Sequence, residues 1–220
     1  MRLTLASGSP QRSEILQKLG LEFEVVVPGV EELTGGDPEF EVLENARRKA
    51  NAVTKAAPPA GGGVGGTTPE DALATAGGGG SPAATGPAGQ ADRPTFVIAC
   101  DTDVVLDSKA LGKPADAAEA RAYLDRLSGR AHEVLSGLVV LAEGEERSGL
   151  ERTTVVFKQL SEAEKQRYVE FGEWRGRSGG YAIQTLGSTL VERLEGSVSN
   201  VVGLPVGLLF ELAPELFPSA

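Results

Sequence analysis

From about Ala57 to about Asp92 the chain abandons patterned sequence for glycine, alanine, proline, threonine and serine, with runs such as Gly61-Gly62-Gly63 and Gly77-Gly78-Gly79-Gly80. A stretch with so few bulky apolar side chains cannot offset the entropy lost on ordering it. Any folded core must therefore be built from the two flanking segments. The expected organisation is a single domain over residues 1–220, interrupted by a disordered insertion at about 57–94. Hydrophobic residues make up 40% of the 220 residues and charged residues 24%, which is enough apolar material for a sizeable core.

Either side of the insertion the pattern is α/β. Leu3 to Ala6 reads as a short strand, followed after Ser7-Gly8-Ser9-Pro10 by a helix with Ile15, Leu16 and Leu19 on one face, ending at Gly20. Phe23 to Val27 is a β-branched run and a strand. Pro38 to Lys55 places Phe40, Leu43, Ala46, Ala50 and Val53 at helical spacing. Beyond the insertion, Phe96 to Cys100 reads as a buried strand, Ala115 to Leu127 as a helix, and Glu133 to Leu141 and Arg152 to Phe157 as strands. Ser161 and Glu164 form the sequence of a capping box for a helix through Phe171, and Val206 to Leu216 is a final helix. Strands separated by helices predict an α/β fold with a mixed or mostly parallel central sheet.

The bulk numbers narrow the chemistry. A net charge of −10 argues against general nucleic-acid binding and against a polybasic membrane patch. No run approaches the roughly 18 apolar residues of a membrane span, and the apolar stretch after Met1 is too short for a signal peptide. The expected location is cytoplasmic. With Cys100 and His132 the sole residues of their kinds, a Cys/His zinc cluster and an intrachain disulfide are both excluded. Acid–base work then falls to carboxylates or lysines, with any metal held by oxygen ligands.

Four features carry candidate chemistry. The turn Ser7 to Arg12 lies between a strand and a helix start, where backbone N–H groups and the helix dipole favour an anion and Arg12 adds a fixed charge. The same segment also reads as a capped helix with a solvated arginine. Asp101 follows the strand 96–100, at the strand end where ligands bind in open α/β sheets, or where an aspartate simply forms a turn. Lys113 sits in the turn Leu111-Gly112-Lys113-Pro114 and Lys49 on a helix, each a candidate cation or a solvated face. The pair Glu31-Glu32 is able to bind a metal or merely to solubilise a loop. Finally, Gly179 to Gln184 pairs glycines that permit close backbone approach with an amide able to read a base edge, or is an ordinary glycine-rich loop.

Taken in order, these segments resemble the Maf family. Leu5 to Leu16 is similar to the family's opening motif, Asp101-Thr102 with Leu111-Gly112-Lys113-Pro114 to its central one, and Leu127-Ser128-Gly129-Arg130-Ala131-His132 to a third. Gly180 to Gln184 and Asn200 to Pro205 resemble the last two. The resemblance implies an α/β fold with a cleft, a divalent cation (Mg²⁺ or Mn²⁺), and hydrolysis of a nucleoside triphosphate between its α and β phosphates. It implies Asp101 as the general base and a metal ligand, Glu31 as a second metal ligand, and Ser9, Arg12, Lys49 and Lys113 as phosphate-binding residues. Thr102 and Gln184 resemble the subgroup that prefers dTTP and UTP. Gln11 stands where a first arginine is usual, which leaves the base preference open. His132 is expected to hold the adjoining loop rather than take part in catalysis. The resemblance also suggests a homodimer.

Two rival readings remain at this point. One is a non-catalytic, nucleotide-binding regulator of cell division, against which Asp101, Lys49 and Lys113 weigh, since a pure binder needs no base. The other is a different phosphohydrolase or a sugar-nucleotide enzyme on a similar sheet.

Overall fold

A computed structural model describes residues 2–56 and 95–217; the insertion expected at about 57–94 lies outside the described residues. The first strand, β1 (Arg2–Ala6), runs into the turn that opens α1 (Pro10–Lys18), with Pro10 at the position whose missing N–H the helix does not need. Next come β2 (Glu24–Val26), the long α2 (Pro38–Ala56), β3 (Thr95–Leu106) and the two-residue β4 (Lys109–Ala110). The second half holds α3 (Ala117–Leu127), β5 (Ala131–Ala142), β6 (Glu145–Phe157), α4 (Glu162–Phe171), β7 (Val191–Glu195), α5 (Val198–Val202) and α6 (Val206–Leu212). The capping box at Ser161 and Glu164 is formed in full.

The sheet is mixed, in the order β2-β1-β3-β5-β6-β7, with β4 paired to β3. Its parallel part is confined to β1 with β2 and β3; β3, β5, β6 and β7 pair antiparallel. The sheet is thus mixed, one of the two arrangements expected, and the mostly parallel alternative does not hold. In the antiparallel part β5 and β6 form one long hairpin around Glu143 and Gly144, both with positive φ (52° and 91°), as a tight turn between twisted strands requires.

Among the departures from the sequence reading, two boundaries and one helix face have plain physical reasons. Strand β3 does not stop at Cys100 but continues to Leu106, so Asp101 lies within the strand rather than just beyond it. The polar residues 101–103 broke the apolar run that marked the strand. Phe40 is 60% exposed, while Ala46, Ala50 and Val53 are buried as expected and Val42 joins them in place of Phe40. The last helix ends at Leu212, because Pro214 cannot continue it and opens a separate short turn, Pro214–Leu216.

Alternation along β3 sends Phe96, Ile98 and Cys100 to the face packed with Leu16, Leu204 and Leu209, and Val97 and Ala99 to the face covered by α2. The α2 side is lined by small residues, which brings the helix close to the sheet. The approach is closest at Gly137 of β5, the ladder partner of Asp101. A Cβ at Gly137 would lie 2.6 Å from Leu43 Cα, so only glycine lets the helix sit there. Because β1 ends at Ala6 while β3 runs on to Leu106, the sheet steps back at that end and opens a cleft beside residues 101–104.

Candidate active site

The cleft encloses about 760 Å³, within the range of small-molecule sites. At its floor lies Asp101, 8% exposed. Both carboxylate oxygens are held from α2: Lys49 Nζ donates to Oδ1 at 2.6 Å and Asn45 Nδ2 to Oδ2 at 3.0 Å. Asn45 and Lys49 are four residues apart on a helix and so share one face. Lys49 also reaches Glu32 Oε1 at 2.5 Å. Burial pushes the Glu32 carboxyl up, but the hydrogen bond and charge of Lys49, with Lys113 and Arg12 behind it, leave it below the usual carboxylate range.

The opposite wall is the turn into α1. Ser9 caps the helix without a side-chain bond to it, which leaves first-turn N–H groups for an anion. Its hydroxyl instead donates to Gln11 Oε1 at 3.2 Å. Arg12, 9% exposed, donates to Gly203 O at 2.8 Å, to Ser7 Oγ at 3.1 Å and to Thr102 Oγ1 at 3.3 Å. All three partners are neutral, so the guanidinium is fixed in place with no carboxylate hydrogen-bonded to it among the described residues. Lys113 and Arg177 also line the cleft; among the described residues, of these four cations only Lys49 has a carboxylate partner.

Of the residues singled out by sequence, Ser9, Gln11, Arg12, Lys49, Asp101, Thr102 and Lys113 all line this one cleft. Two do not. Glu31 is exposed and away from the lining, whereas Glu32 is in it. The bond from Leu33 N to Asn45 Oδ1 at 2.7 Å ties this segment to α2, and Glu32 turns inward to the Lys49 ammonium. Gln184 is exposed and outside the lining; the segment is drawn aside where Tyr181 is buried and Ala182 N donates to Tyr168 Oη at 3.0 Å. Thr102 is present, but its hydroxyl already serves Arg12 and pairs with Ser136 Oγ at 2.8 Å.

Sequence reasoning missed Asn45, Asp103, Arg177 and Ser178. Asp103 was within reach, since residues two apart on a strand share a face and Asp101 was already a candidate. Burial raises the Asp103 carboxyl to about 6, against the bond it accepts from Ser178 Oγ at 2.9 Å, with Asp101, Glu32 and Glu41 adding repulsion. Nothing in the sequence marks Asn45, an amide within a helix. His132 stays out of the cleft: its Nε2 meets Tyr181 Oη at 2.8 Å and its ring packs edge-on against Phe157. Cys100 is fully buried, and burial pushes its thiol up, which removes it as a nucleophile.

The residues present fit a divalent cation. Asp101 and Glu32 already converge on one cation, the Lys49 ammonium. Among the described residues there is no ready group of three or more protein ligands. That suits an ion such as Mg²⁺, which takes one or two carboxylates and completes its shell with water and substrate phosphate.

A held carboxylate sharing an α/β cleft with cations that lack a carboxylate partner is an arrangement suited to a polyanion. The chain belongs to the Maf family, whose profile, described as Maf-like protein, matches residues 2–216. It is similar to a Deinococcus radiodurans protein named dTTP/UTP pyrophosphatase, at 39% identity over 212 residues, covering 96% of this chain and 91% of that one. Relatives of the same name occur in Myxococcus xanthus, at 39% identity with 93% and 87% covered, and in Thermoanaerobacter pseudethanolicus, at 34% with 99% and 97% covered. The structure of the Staphylococcus aureus Ham1 protein aligns over 71% of this chain and 72% of that one at 11% identity and a TM-score of 0.37, a likeness too slight to add to the fold described above. No helix among the described residues is long and apolar enough to cross a membrane.

Proposed function

We propose that this chain is a nucleoside triphosphate pyrophosphatase acting on pyrimidine nucleotides, dTTP and UTP foremost, and releasing a nucleoside monophosphate and pyrophosphate. The observation that carries the reading is the pairing of Asp101, gripped through both oxygens, with cleft cations that lack carboxylate partners. The names of its relatives support the substrate class.

In this reading Asp101 accepts a proton from a water as its oxygen bonds to the α phosphorus. The bond from that phosphorus to the bridging oxygen breaks, and pyrophosphate leaves with the bonding pair. Ser9, Arg12, Lys49 and Lys113 hold the phosphates and neutralise their charge, which is most of what phosphoryl transfer asks of a protein. Asp101 and Glu32, rather than Glu31, would hold a Mg²⁺ or Mn²⁺ ion, which supplies charge neutralisation at the reacting phosphate. With histidine out of the cleft, a carboxylate is the natural base.

The test is pyrophosphate release from a panel of nucleoside triphosphates with Mg²⁺, Mn²⁺ or chelator. Metal-dependent release from UTP and dTTP upholds the reading. Orthophosphate as the product contradicts cleavage at the α–β bond. Nucleotide binding without release by a folded sample points to the non-catalytic regulator.

A further inference from the structure

The two donors that grip Asp101 differ in what else they can serve. Lys49 carries a charge already divided between Asp101 and Glu32, and a triphosphate entering the cleft competes for it. Asn45 carries none and is 2% exposed. Its carboxamide is fully engaged: Oδ1 accepts from Leu33 N at 2.7 Å, while Nδ2 donates to Leu33 O at 3.1 Å and to Asp101 Oδ2 at 3.0 Å. A buried amide with every partner matched gains nothing by turning to a phosphate.

The exchange with Leu33 copies one rung of a β-ladder, so Asn45 also pins the loop after β2. Glu32 is the residue next to that rung and lines the same cleft. One neutral side chain thus sets the relation between the two carboxylates that Lys49 bridges. Packing alone does not call for an amide here, because burying one is unfavourable unless its partners are arranged for it.

We propose that Asn45 is a positioning residue: it keeps Asp101 oriented and Glu32 in register when Lys49 turns to the substrate phosphates. The role of Asp101 in this statement rests on the function proposed above. The readouts are pyrophosphate release from UTP and Mn²⁺ binding without nucleotide, followed by electron paramagnetic resonance, for the full chain and for Asn45→Ala and Asn45→Asp. Asn45→Ala is expected to lower kcat about 10-fold or more, leave KM for UTP within about 3-fold, and weaken Mn²⁺ binding about 10-fold, as loss of an outer-shell partner does. Asn45→Asp keeps the bond from Leu33 N but replaces the donor to Asp101 with a second carboxylate, so its kcat should fall equally while the added negative charge keeps Mn²⁺ binding. Because it preserves shape, it carries the kinetic comparison should the alanine variant not fold.

A kcat close to that of the unmodified chain in either folded variant overturns the proposal. So does a fall in kcat matched by a rise in KM and a collapse in melting temperature, which marks packing. If the unmodified chain releases no pyrophosphate, the proposed reaction falls and the Mn²⁺ titration decides Asn45 alone. Unchanged affinity in Asn45→Ala, or no Mn²⁺ binding by the unmodified chain, overturns it; a 10-fold loss, on the order seen for outer-shell partners, upholds it.

Discussion

Gly137 lies directly across the β3–β5 ladder from Asp101, and its missing side chain lets α2 descend until its donors meet the carboxylate. The helix backbone at Val42 and Leu43 fills the space a Cβ would take, and Asn45 and Lys49 follow within the next two turns. A residue without a side chain thus sets the height of the cleft floor.

Gly137→Ala is therefore expected to destabilise the fold by about 1–3 kcal/mol, the usual range for overpacking. Because it lifts Asn45 and Lys49 away from Asp101, turnover should fall as well. Urea unfolding and pyrophosphate release check the two effects; wild-type values for both would mean that α2 can shift without consequence.

Asp101→Asn keeps the shape of the side chain and an oxygen for Lys49, so the fold should survive. Loss of the base is expected to reduce kcat about 10²- to 10⁴-fold. Near-normal release by a folded variant would remove Asp101 from its assigned role.

His132 predicts how stability varies with pH. It is 3% exposed, its Nδ1 has no hydrogen-bond partner among the described residues, and burial lowers its pKa to about 4 from 6.5. The unfolded chain takes up this proton near 6.5 and the folded one only near 4. The contribution is therefore full above 6.5 and is lost as pH falls through that window, by up to about 3 kcal/mol. Urea unfolding at pH 7 and at pH 4.5 measures the loss, and His132→Gln should flatten it. An equal pH dependence in that variant would assign the effect elsewhere.

The sheet strands and their helices were legible where apolar residues recur with a clear period, as in α3 and the first half of β3. They were illegible where polar side chains replace apolar ones within an element. Residues 101–103 are strand, yet they read as a strand end, because a carboxylate buried in a sheet looks like a turn signal. Phe40 misled in the opposite sense, a large apolar residue on the solvent face of α2. Asp101, Lys49, Lys113 and Arg12 were found because charge in a motif is conspicuous. Asn45 was not, since its importance lies in three bonds made across the fold. The choice between Glu31 and Glu32 depended on contacts that Glu32 and Leu33 make with α2, which lie across the fold.

Removing most of residues 60–90 is expected to leave pyrophosphate release close to that of the full chain. The segment joins α2 to β3, and Thr95, where β3 begins, pairs with Arg2 at the amino end of the parallel strands. A folded deletion variant without activity would show that the segment contributes to the reaction.

The step in the sheet divides the molecule into a working pole and a free pole. Asp101 lies about 20 Å from Thr95 along a strand rising ~3.3 Å per residue. A change confined to the Thr95 end of β3 acts at that distance from the floor of the cleft. A tether, a tag or a recognition segment grafted there would change where the enzyme goes while leaving what it does untouched.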